Sequence, residues 1–138
     1  MRWSASLTVR NEQEFICDVI GDLQDQTIPP EKILILDDGP TDLTGEILDT
    51  SDSVTVWHRE DSGRSETMEI MANRDKMMCD GRHGLCVTNF DADLHVKADH
   101  MECMTSRMIR DDVKVANGAY RAEPRRLSPE SGLVIDVK

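Results

Sequence analysis

The chain has 138 residues, which is enough for one domain with its own core but small for a complete enzyme that binds two substrates. Its formal charge is −11, from 27 acidic and 16 basic residues, and this argues against nucleic acid as a partner because phosphate backbones are bound by basic patches. No segment is long and apolar enough to be a signal peptide or to span a membrane, so the sequence predicts a cytoplasmic protein.

The first half of the chain alternates short aliphatic runs with segments whose apolar residues recur at helical spacing. Proline and glycine separate these segments and mark the turns between them. In chain order the segments predict a strand at 6–9, a helix at 12–26, a strand at 33–36, a short helix capped by Thr41-Asp42, a strand at 54–57 and a polar loop at 58–66.

The second half continues the alternation. Its segments predict a helix at 65–78, a strand at 85–90, a helix at 99–110, a strand at 113–116 and a tail at 121–138 with a candidate edge strand. Strands and helices that alternate across short loops form right-handed βαβ units. The sequence therefore predicts an α/β fold, a mostly parallel sheet flanked by helices, in one domain over residues 1–120.

The cysteines show none of the close pairs that are typical of zinc sites. They lie at four separate places in the chain: Cys17, Cys79, Cys86 and Cys103. Cysteines with this distribution are typical of free thiols in a reducing compartment, which agrees with the predicted cytoplasmic location.

Two of the predicted strands end in acidic residues. Asp37 and Asp38 follow the second predicted strand, and Asp91 and Asp93 follow the strand at 85–90. The carboxyl ends of parallel strands meet at one edge of a sheet, and open α/β folds bind their ligands at that edge. We therefore expect the four carboxylates to belong to one site.

The second acidic pair is a candidate metal site. Asp91 and Asp93 are separated by one small residue, so an extended backbone would place both carboxylates on one face. Such a pair suits a hard divalent cation, Mg²⁺ or Mn²⁺, whose other ligands are water and phosphate oxygens. His95 continues the alternation and is a candidate third ligand. The alternative is a solvated turn, since aspartate is common in turns.

The first acidic pair is a candidate for nucleotide recognition, because a carboxylate accepts hydrogen bonds from a base N–H or from ribose hydroxyls. The alternative is that Asp37 or Asp42 caps the following helix. Three arginines could donate to a diphosphate, although each is also typical of a solvated surface: Arg59, Arg64 and Arg74. We assign no role to the histidines that lack a partner at a recognisable spacing: His58, His83 and His100.

Several motifs occur in a fixed order between residue 5 and about residue 120. They are Arg10-Asn11-Glu12, Gln26-Thr27, Asp37-Asp38-Gly39 with Thr41-Asp42 and Thr44, Phe90-Asp91-Ala92-Asp93, and Ala98-Asp99. This order resembles the opening of a family 2 glycosyltransferase of GT-A type. In that family a strand ends in Asn-Glu, a helix closes with Gln-Thr, and a second strand runs into Asp-Asp-Gly-Ser-Thr-Asp-Gly-Thr. A metal-binding DxD motif and a Pro-Asp pair follow.

The resemblance implies a GT-A (nucleotide-diphospho-sugar transferase) fold that is shortened at its C-terminus, with a UDP- or GDP-linked sugar as donor and Mg²⁺ or Mn²⁺ as cofactor. It implies that Asp38 hydrogen-bonds the base, that Asp91 contacts the ribose or the metal, and that Asp93 binds the metal directly. It also assigns Val9, Arg10 and Glu12 to the nucleotide site, and it places either Arg59 or Arg64 near the diphosphate, with Arg64 included among the nucleotide-binding residues.

The sequence departs from the family pattern in two ways. Pro40 and Leu43 stand where the family has Ser and Gly, which alters the turn and keeps its acids. The family's acceptor-binding half, with its catalytic Asp or Glu, has no matching motif here. Glu123 and Glu130 lie in the right direction, but their surroundings do not match, so a catalytic base is not identifiable.

Two functions from different classes remain open. The first is glycosyl transfer from a nucleotide sugar to an unknown acceptor hydroxyl, and the second is a non-catalytic module that binds or senses the nucleotide sugar. A phosphoacceptor receiver domain is a third hypothesis, but in receivers the acidic pair ends the first strand, whereas here a strand and a helix precede it. A homo-oligomer that covers the face left open by the short C-terminus is a further hypothesis.

Overall fold

The computed structural model describes residues 2–60 and 85–112. The predicted helix at 65–78, the strand at 113–116 and the tail at 121–138 lie outside these ranges. The described ranges contain four strands and three helices: β1 (Arg2–Val9), α1 (Ile16–Gln24), β2 (Ile33–Asp38), α2 (Thr44–Asp49), β3 (Thr55–Arg59), β4 (Leu85–Phe90) and α3 (His100–Arg110).

The described strands form one parallel sheet in the order β3-β2-β1-β4, so the predicted α/β fold with a parallel sheet is confirmed. Leu7 in the central part of β1 lies opposite Ile35 of β2 and Phe90 of β4. The chain moves outward on one side of β1 through β2 and β3, and β4 adds to the other side. This reversal creates a switch point between β1 and β4, where open α/β sheets bind ligands at the carboxyl ends of their strands.

The main hydrophobic core lies on one face of the sheet. Alternate residues of β1 point into it, and the opposite face of β1 carries the small residues Ser4 and Ser6. β2 is buried along its whole length, as its continuous aliphatic run predicts. Together with side chains from the three described helices, the strands contribute these core residues: Trp3, Ala5, Leu7, Val9, Ile33, Ile35 and Phe90.

Trp3 ties this core to the connection that leads into β2. Its indole is fully buried, and its Nε1–H donates a hydrogen bond to the backbone C=O of Ile28 at 2.7 Å. The ring also packs edge-to-face against Phe90, with a centroid distance of 6.1 Å. The one polar atom of the indole is therefore satisfied, and the remainder contributes apolar area to the core.

β1 is longer than predicted, and α1 is shorter. β1 begins at Arg2 rather than at residue 6 because its first residues pair with the start of β4, a distant partner that the local pattern does not reveal. α1 begins at Ile16 rather than at residue 12. The C=O of Glu12 accepts hydrogen bonds from the N–H groups of Phe15 and Ile16, so a turn precedes the helix.

Gln26 joins the end of α1 to the start of α3. Its buried side-chain amide donates hydrogen bonds to the C=O groups of Lys97, at 2.7 Å, and Asp22, at 3.1 Å. Its Oε1 accepts a hydrogen bond from the backbone N–H of Met101 at 3.0 Å. The first N–H groups of a helix have no partner inside the helix, so Gln26 supplies an acceptor that α3 lacks.

Two expectations of the sequence bear on the location of the protein. Within residues 2–60 and 85–112, none of the helices has the length and apolar character needed to cross a bilayer. Cys17, Cys86 and Cys103 are free thiols, as predicted, whereas Cys79 lies outside the described residues. The cytoplasmic location stays a prediction.

We predict that Gln26→Leu lowers the free energy of unfolding by about 2 kcal/mol, because buried backbone groups at both helix ends lose their hydrogen-bond partner. Gln24→Leu is the matched control, since Gln24 is exposed at the end of α1, two residues before Gln26. Urea denaturation of both variants measures the difference. Equal effects of the two substitutions would contradict the role that we assign to Gln26.

Candidate functional site

The C-terminal ends of the four described strands lie together at one edge of the sheet, the carboxyl edge. Because every pairing is parallel, the segments after these strands all leave the sheet at this edge. This edge carries the residues that the sequence selected: Val9, Arg10, Glu12, Asp37, Asp38, Arg59, Asp91 and Asp93. Arg64 and Arg74 lie outside the described residues. The common edge is present as predicted, and the binding of a nucleotide or a metal by these residues stays a prediction.

β2 and β3 each continue beyond the aliphatic runs that predicted them. β2 ends at Asp38 and β3 ends at Arg59, so the prediction of a polar loop from residue 58 is wrong at its first two positions. The register gives the reason, because Asp37 lies opposite His58 and Asp38 lies opposite Arg59. Two acid–base pairs extend the ladder where the apolar residues end. Since side chains alternate along a strand, the two pairs lie on opposite faces of the sheet.

The first pair lies on the face that α2 covers. The Asp37 side chain is 0% exposed, and its Oδ2 is 2.8 Å from Nδ1 of His58. The other ring nitrogen, Nε2, is 2.9 Å from Oδ1 of Asp49 at the end of α2. The imidazole therefore links β2, β3 and α2. The alternative that Asp37 caps the following helix is therefore wrong. His58, to which the sequence analysis assigned no role, has a structural one.

The environment of this pair favours a charged imidazole. The hydrogen bonds that His58 donates to Asp37 and then to Asp49 raise the pKa of the imidazole above its ordinary value of 6.5. Burial raises the pKa of the Asp37 carboxyl, although the hydrogen bond from His58 opposes that effect. Both ring nitrogens face carboxylate oxygens, and only the protonated ring can donate from both.

The second pair lies on the opposite face. Nε of Arg59 is 3.4 Å from Oδ1 of Asp38, and the two side chains are only 14% and 11% exposed. The sequence suggested that Arg59 could donate to a diphosphate. The structure places its guanidinium beside the carboxylate that the family resemblance assigns to base recognition.

Polar side chains hold the loop after β1 against the loop after β2. Oδ1 of Asn11, a residue with a φ of 55°, accepts a hydrogen bond from the N–H of Thr41 at 2.8 Å. Oγ1 of Thr44 accepts one from the N–H of Glu12 at 2.9 Å, and the N–H of Thr44 donates to Oδ1 of Asp42 at 2.9 Å. The Asn-Glu and Thr-Asp-x-Thr motifs thus join two loops, and Asp42 holds the start of α2 as the sequence suggested.

The turn after β2 accommodates both departures from the family pattern. Gly39 has a φ of 68°, a conformation that favours glycine. Leu43 has a φ of −81°, which any residue can adopt, and its side chain is exposed. Pro40 follows Gly39 and is partly buried. The acids and the glycine of the motif therefore keep their places although Pro and Leu replace Ser and Gly.

Asp91 and Asp93 lie in the turn after β4, and both are exposed with buried Ala92 between them. Two carboxylates therefore reach solvent at the carboxyl edge. Nδ1 of His95 is instead 2.7 Å from Oδ2 of Asp22 in α1. The sequence suggested His95 as a third metal ligand beside the two acids. Among residues 2–60 and 85–112, however, no three side chains form a metal-ligating group, so His95 does not complete such a set.

The sequence reasoning missed the roles of His58, Asn11 and Thr44, because their partners are 21 to 32 residues away along the chain. One signal was present. An Asp-Asp pair follows one aliphatic strand and a His-Arg pair follows the next, which is the complementarity expected of neighbouring strands in register.

We predict that stability falls as the pH rises through the folded-state pKa of His58. That pKa is raised, so the contribution is complete below the ordinary value of 6.5 and is lost as the imidazolium deprotonates above it. Urea denaturation between about pH 6 and 9 measures the slope for the parent chain and for His58→Gln, which should show a flatter slope.

The comparison of the two proteins isolates His58 from His100, whose pKa is also shifted. Burial lowers the pKa of His100, so the stability that its neutral form contributes is lost as the pH falls. Both proteins contain His100, so this effect is the same in each. Identical slopes above pH 6.5 for the parent and the variant would contradict the predicted role.

We predict opposite effects for the same substitution at two helical glycines. Gly21→Ala should raise the free energy of unfolding by about 0.5–1 kcal/mol, because alanine favours the helix. A Cβ at Gly21 meets no atom within 4 Å, whereas a Cβ at Gly45 lies 3.1 Å from Oδ2 of Asp37, which His58 holds. Gly45→Ala should therefore lower the stability in urea denaturation. A gain at both positions would show that the Asp37 carboxylate moves freely.

Solved structures with the same fold include S. aureus TarS, with a TM-score of 0.62 and 15% sequence identity over 89% of this chain and 23% of that chain. The structure of S. aureus TarS 1–349 in complex with UDP-GlcNAc matches with a TM-score of 0.60 and 15% identity over 80% of this chain and 32% of that chain. The chain thus spans about a third or less of these matched structures. The similarity confirms the GT-A fold.

A comparison with curated protein sequences gives no significant match. The model of one protein family, described as glycosyl transferase family 2, matches residues 4–130. That match includes the ends of all four described strands and the motifs at the carboxyl edge. The resemblance seen in the sequence is therefore confirmed, and the chain belongs to glycosyl transferase family 2.

Proposed function

We propose that the chain binds a nucleotide-diphosphate sugar at the carboxyl edge of its sheet and takes part in the transfer of that sugar to an acceptor hydroxyl. One observation carries the proposal. In a member of glycosyl transferase family 2, the fold brings Asp38, Glu12 and the Asp91-Ala92-Asp93 turn to the edge beside the switch point, although they are far apart in sequence.

The proposed nucleotide site lies around the ends of β1 and β2. Asp38 accepts a hydrogen bond from the base, and the segment formed by Val9, Arg10 and Glu12 lies along the nucleoside. The backbone of this segment is fixed by the hydrogen bond between Glu12 and Thr44, which favours a preformed site. The S. aureus TarS 1–349 structure in complex with UDP-GlcNAc supports a UDP-linked donor over a GDP-linked one.

The turn after β4 fits a hard divalent cation. Asp91 and Asp93 present two exposed carboxylates with a buried residue between them, and carboxylate oxygens are the ligands that Mg²⁺ and Mn²⁺ prefer. Asp93 would bind the ion directly, and Asp91 would contact the ion or the ribose. A bound ion supplies positive charge that stabilises the departing diphosphate.

The proposed reaction is the attack of an acceptor hydroxyl on the anomeric carbon of the donor sugar, with the nucleoside diphosphate as the leaving group. The described residues serve to bind and orient the donor. The acceptor hydroxyl loses its proton as the new glycosidic bond forms.

We predict that UDP binds in the presence of Mn²⁺ and that Asp93→Ala weakens this binding at least about tenfold, since one direct metal ligand is lost. Isothermal titration with UDP, GDP and UDP-GlcNAc, with Mn²⁺ or with a chelator, measures the affinities. Asp52→Ala is the matched control, because it removes an exposed aspartate in the turn between α2 and β3, away from the carboxyl edge.

Metal-dependent binding that Asp93→Ala loses and Asp52→Ala keeps supports the proposed site, and incubation with candidate acceptors then separates transfer from binding alone. Binding of none of these nucleotides by a folded chain would overturn the proposal. Tight binding that is unaffected by the chelator and by Asp93→Ala would retain a nucleotide site and remove the metal from it.

A further inference from the structure

We propose that Arg59 is a positioning residue for base recognition. It holds the Asp38 carboxylate in the orientation that accepts the imide N–H of a uracil base. The inference rests on the proposed function, in which Asp38 contacts the base, and it gives Arg59 of β3 a role different from the diphosphate contact that the sequence suggested.

The two side chains form an ion pair that is shielded from solvent. Nε of Arg59 is 3.4 Å from Oδ1 of Asp38, and the exposed fractions of the two side chains are 14% and 11%. The pair is also fixed along the sheet, because Asp38 and Arg59 are partners in the β2–β3 register. A surface ion pair contributes little because water screens it, whereas this pair lies where screening is weak.

The opposite face of the same strands restricts the pair further. Asp37 and His58 are partners one residue earlier, and the imidazole also contacts Asp49 of α2. The backbones that carry Asp38 and Arg59 are therefore also held together by a polar contact on the opposite face of the sheet. The Arg59 guanidinium then restricts the rotation of the Asp38 side chain about this backbone.

An ion pair with Arg59 is compatible with ligand binding by Asp38. An ionised carboxylate has two oxygens and about four acceptor positions, and Arg59 approaches one oxygen. Arg59 thus places a guanidinium beside an acceptor at the edge where the proposed nucleotide lies.

The base follows from the UDP-linked donor of the proposed function. Uracil presents one ring N–H between two carbonyl groups, and one carboxylate oxygen is enough to accept it.

We test the inference with UDP and with 3-methyl-UDP, in which a methyl group replaces the imide hydrogen. Both ligands are titrated with Mn²⁺ into the parent chain, Arg59→Met and Arg59→Lys. Arg2→Met is the matched control, since it removes an arginine–carboxylate pair, with Glu31 at 3.2 Å, from the opposite end of the sheet. Thermal unfolding of each variant shows that it is folded at the temperature of the titration.

We predict that Arg59→Met weakens UDP binding about tenfold or more and 3-methyl-UDP binding less than about threefold, because the hydrogen bond from the imide N–H is the interaction that is lost. Arg59→Lys keeps the charge without the planar fork and should fall between the parent and Arg59→Met. Arg2→Met should bind both ligands as the parent does.

The alternative is that Arg59 only stabilises the β2–β3 ladder. In that case Arg59→Met weakens both ligands equally or neither of them, and either result overturns the inference while the proposed function stands. If the parent chain itself fails to bind UDP, the proposed function fails and this inference fails with it. If Arg59→Met does not fold, the comparison of the parent with Arg59→Lys decides by the same criterion.

Discussion

The carboxyl edge of this domain depends on the two acid–base pairs that cross from β2 to β3. The first four residues of β2 are aliphatic, but the last two residues of both β2 and β3 are charged or titratable. They remain in the ladder because each acid finds a base directly opposite it in the register. The strands therefore keep regular geometry up to the edge, and the carboxylate of Asp38 is held on a strand rather than on a loop.

The loops beyond the strands are ordered by neutral side chains. Asn11 and Thr44 satisfy backbone N–H groups of the neighbouring loop, and α2 begins within the segment that they join. Gln26 acts similarly between α1 and α3, so the segment that follows the acidic turn is tied to the first helix. Hydrogen bonds between side chains and backbone groups thus tie together the loops and helices around the edge.

The sequence predicts the parts of this fold that local patterns determine. The aliphatic run of β2, the strand at 85–90 and the helix that ends at Arg110 follow from periodicity and composition. The ends of β2 and β3 could not be predicted, because a histidine that follows a strand has the local signature of a loop. Its partner Asp37 becomes apparent only when two strands are placed side by side. The acidic edge was predictable because parallel topology alone brings strand ends together.

Because side chains alternate between the two faces of the sheet, adjacent positions in β2 and β3 are under different constraints. The side chains at positions 37 and 58 are constrained by contacts with α2 and the core. The side chains at positions 38 and 59 are constrained instead by what lies against the opposite face of the sheet. Related chains with a different nucleotide can therefore exchange the second pair without disturbing the first. Variation at these four positions would then fall into two independent couples, each changing as a unit, although the couples are adjacent in sequence.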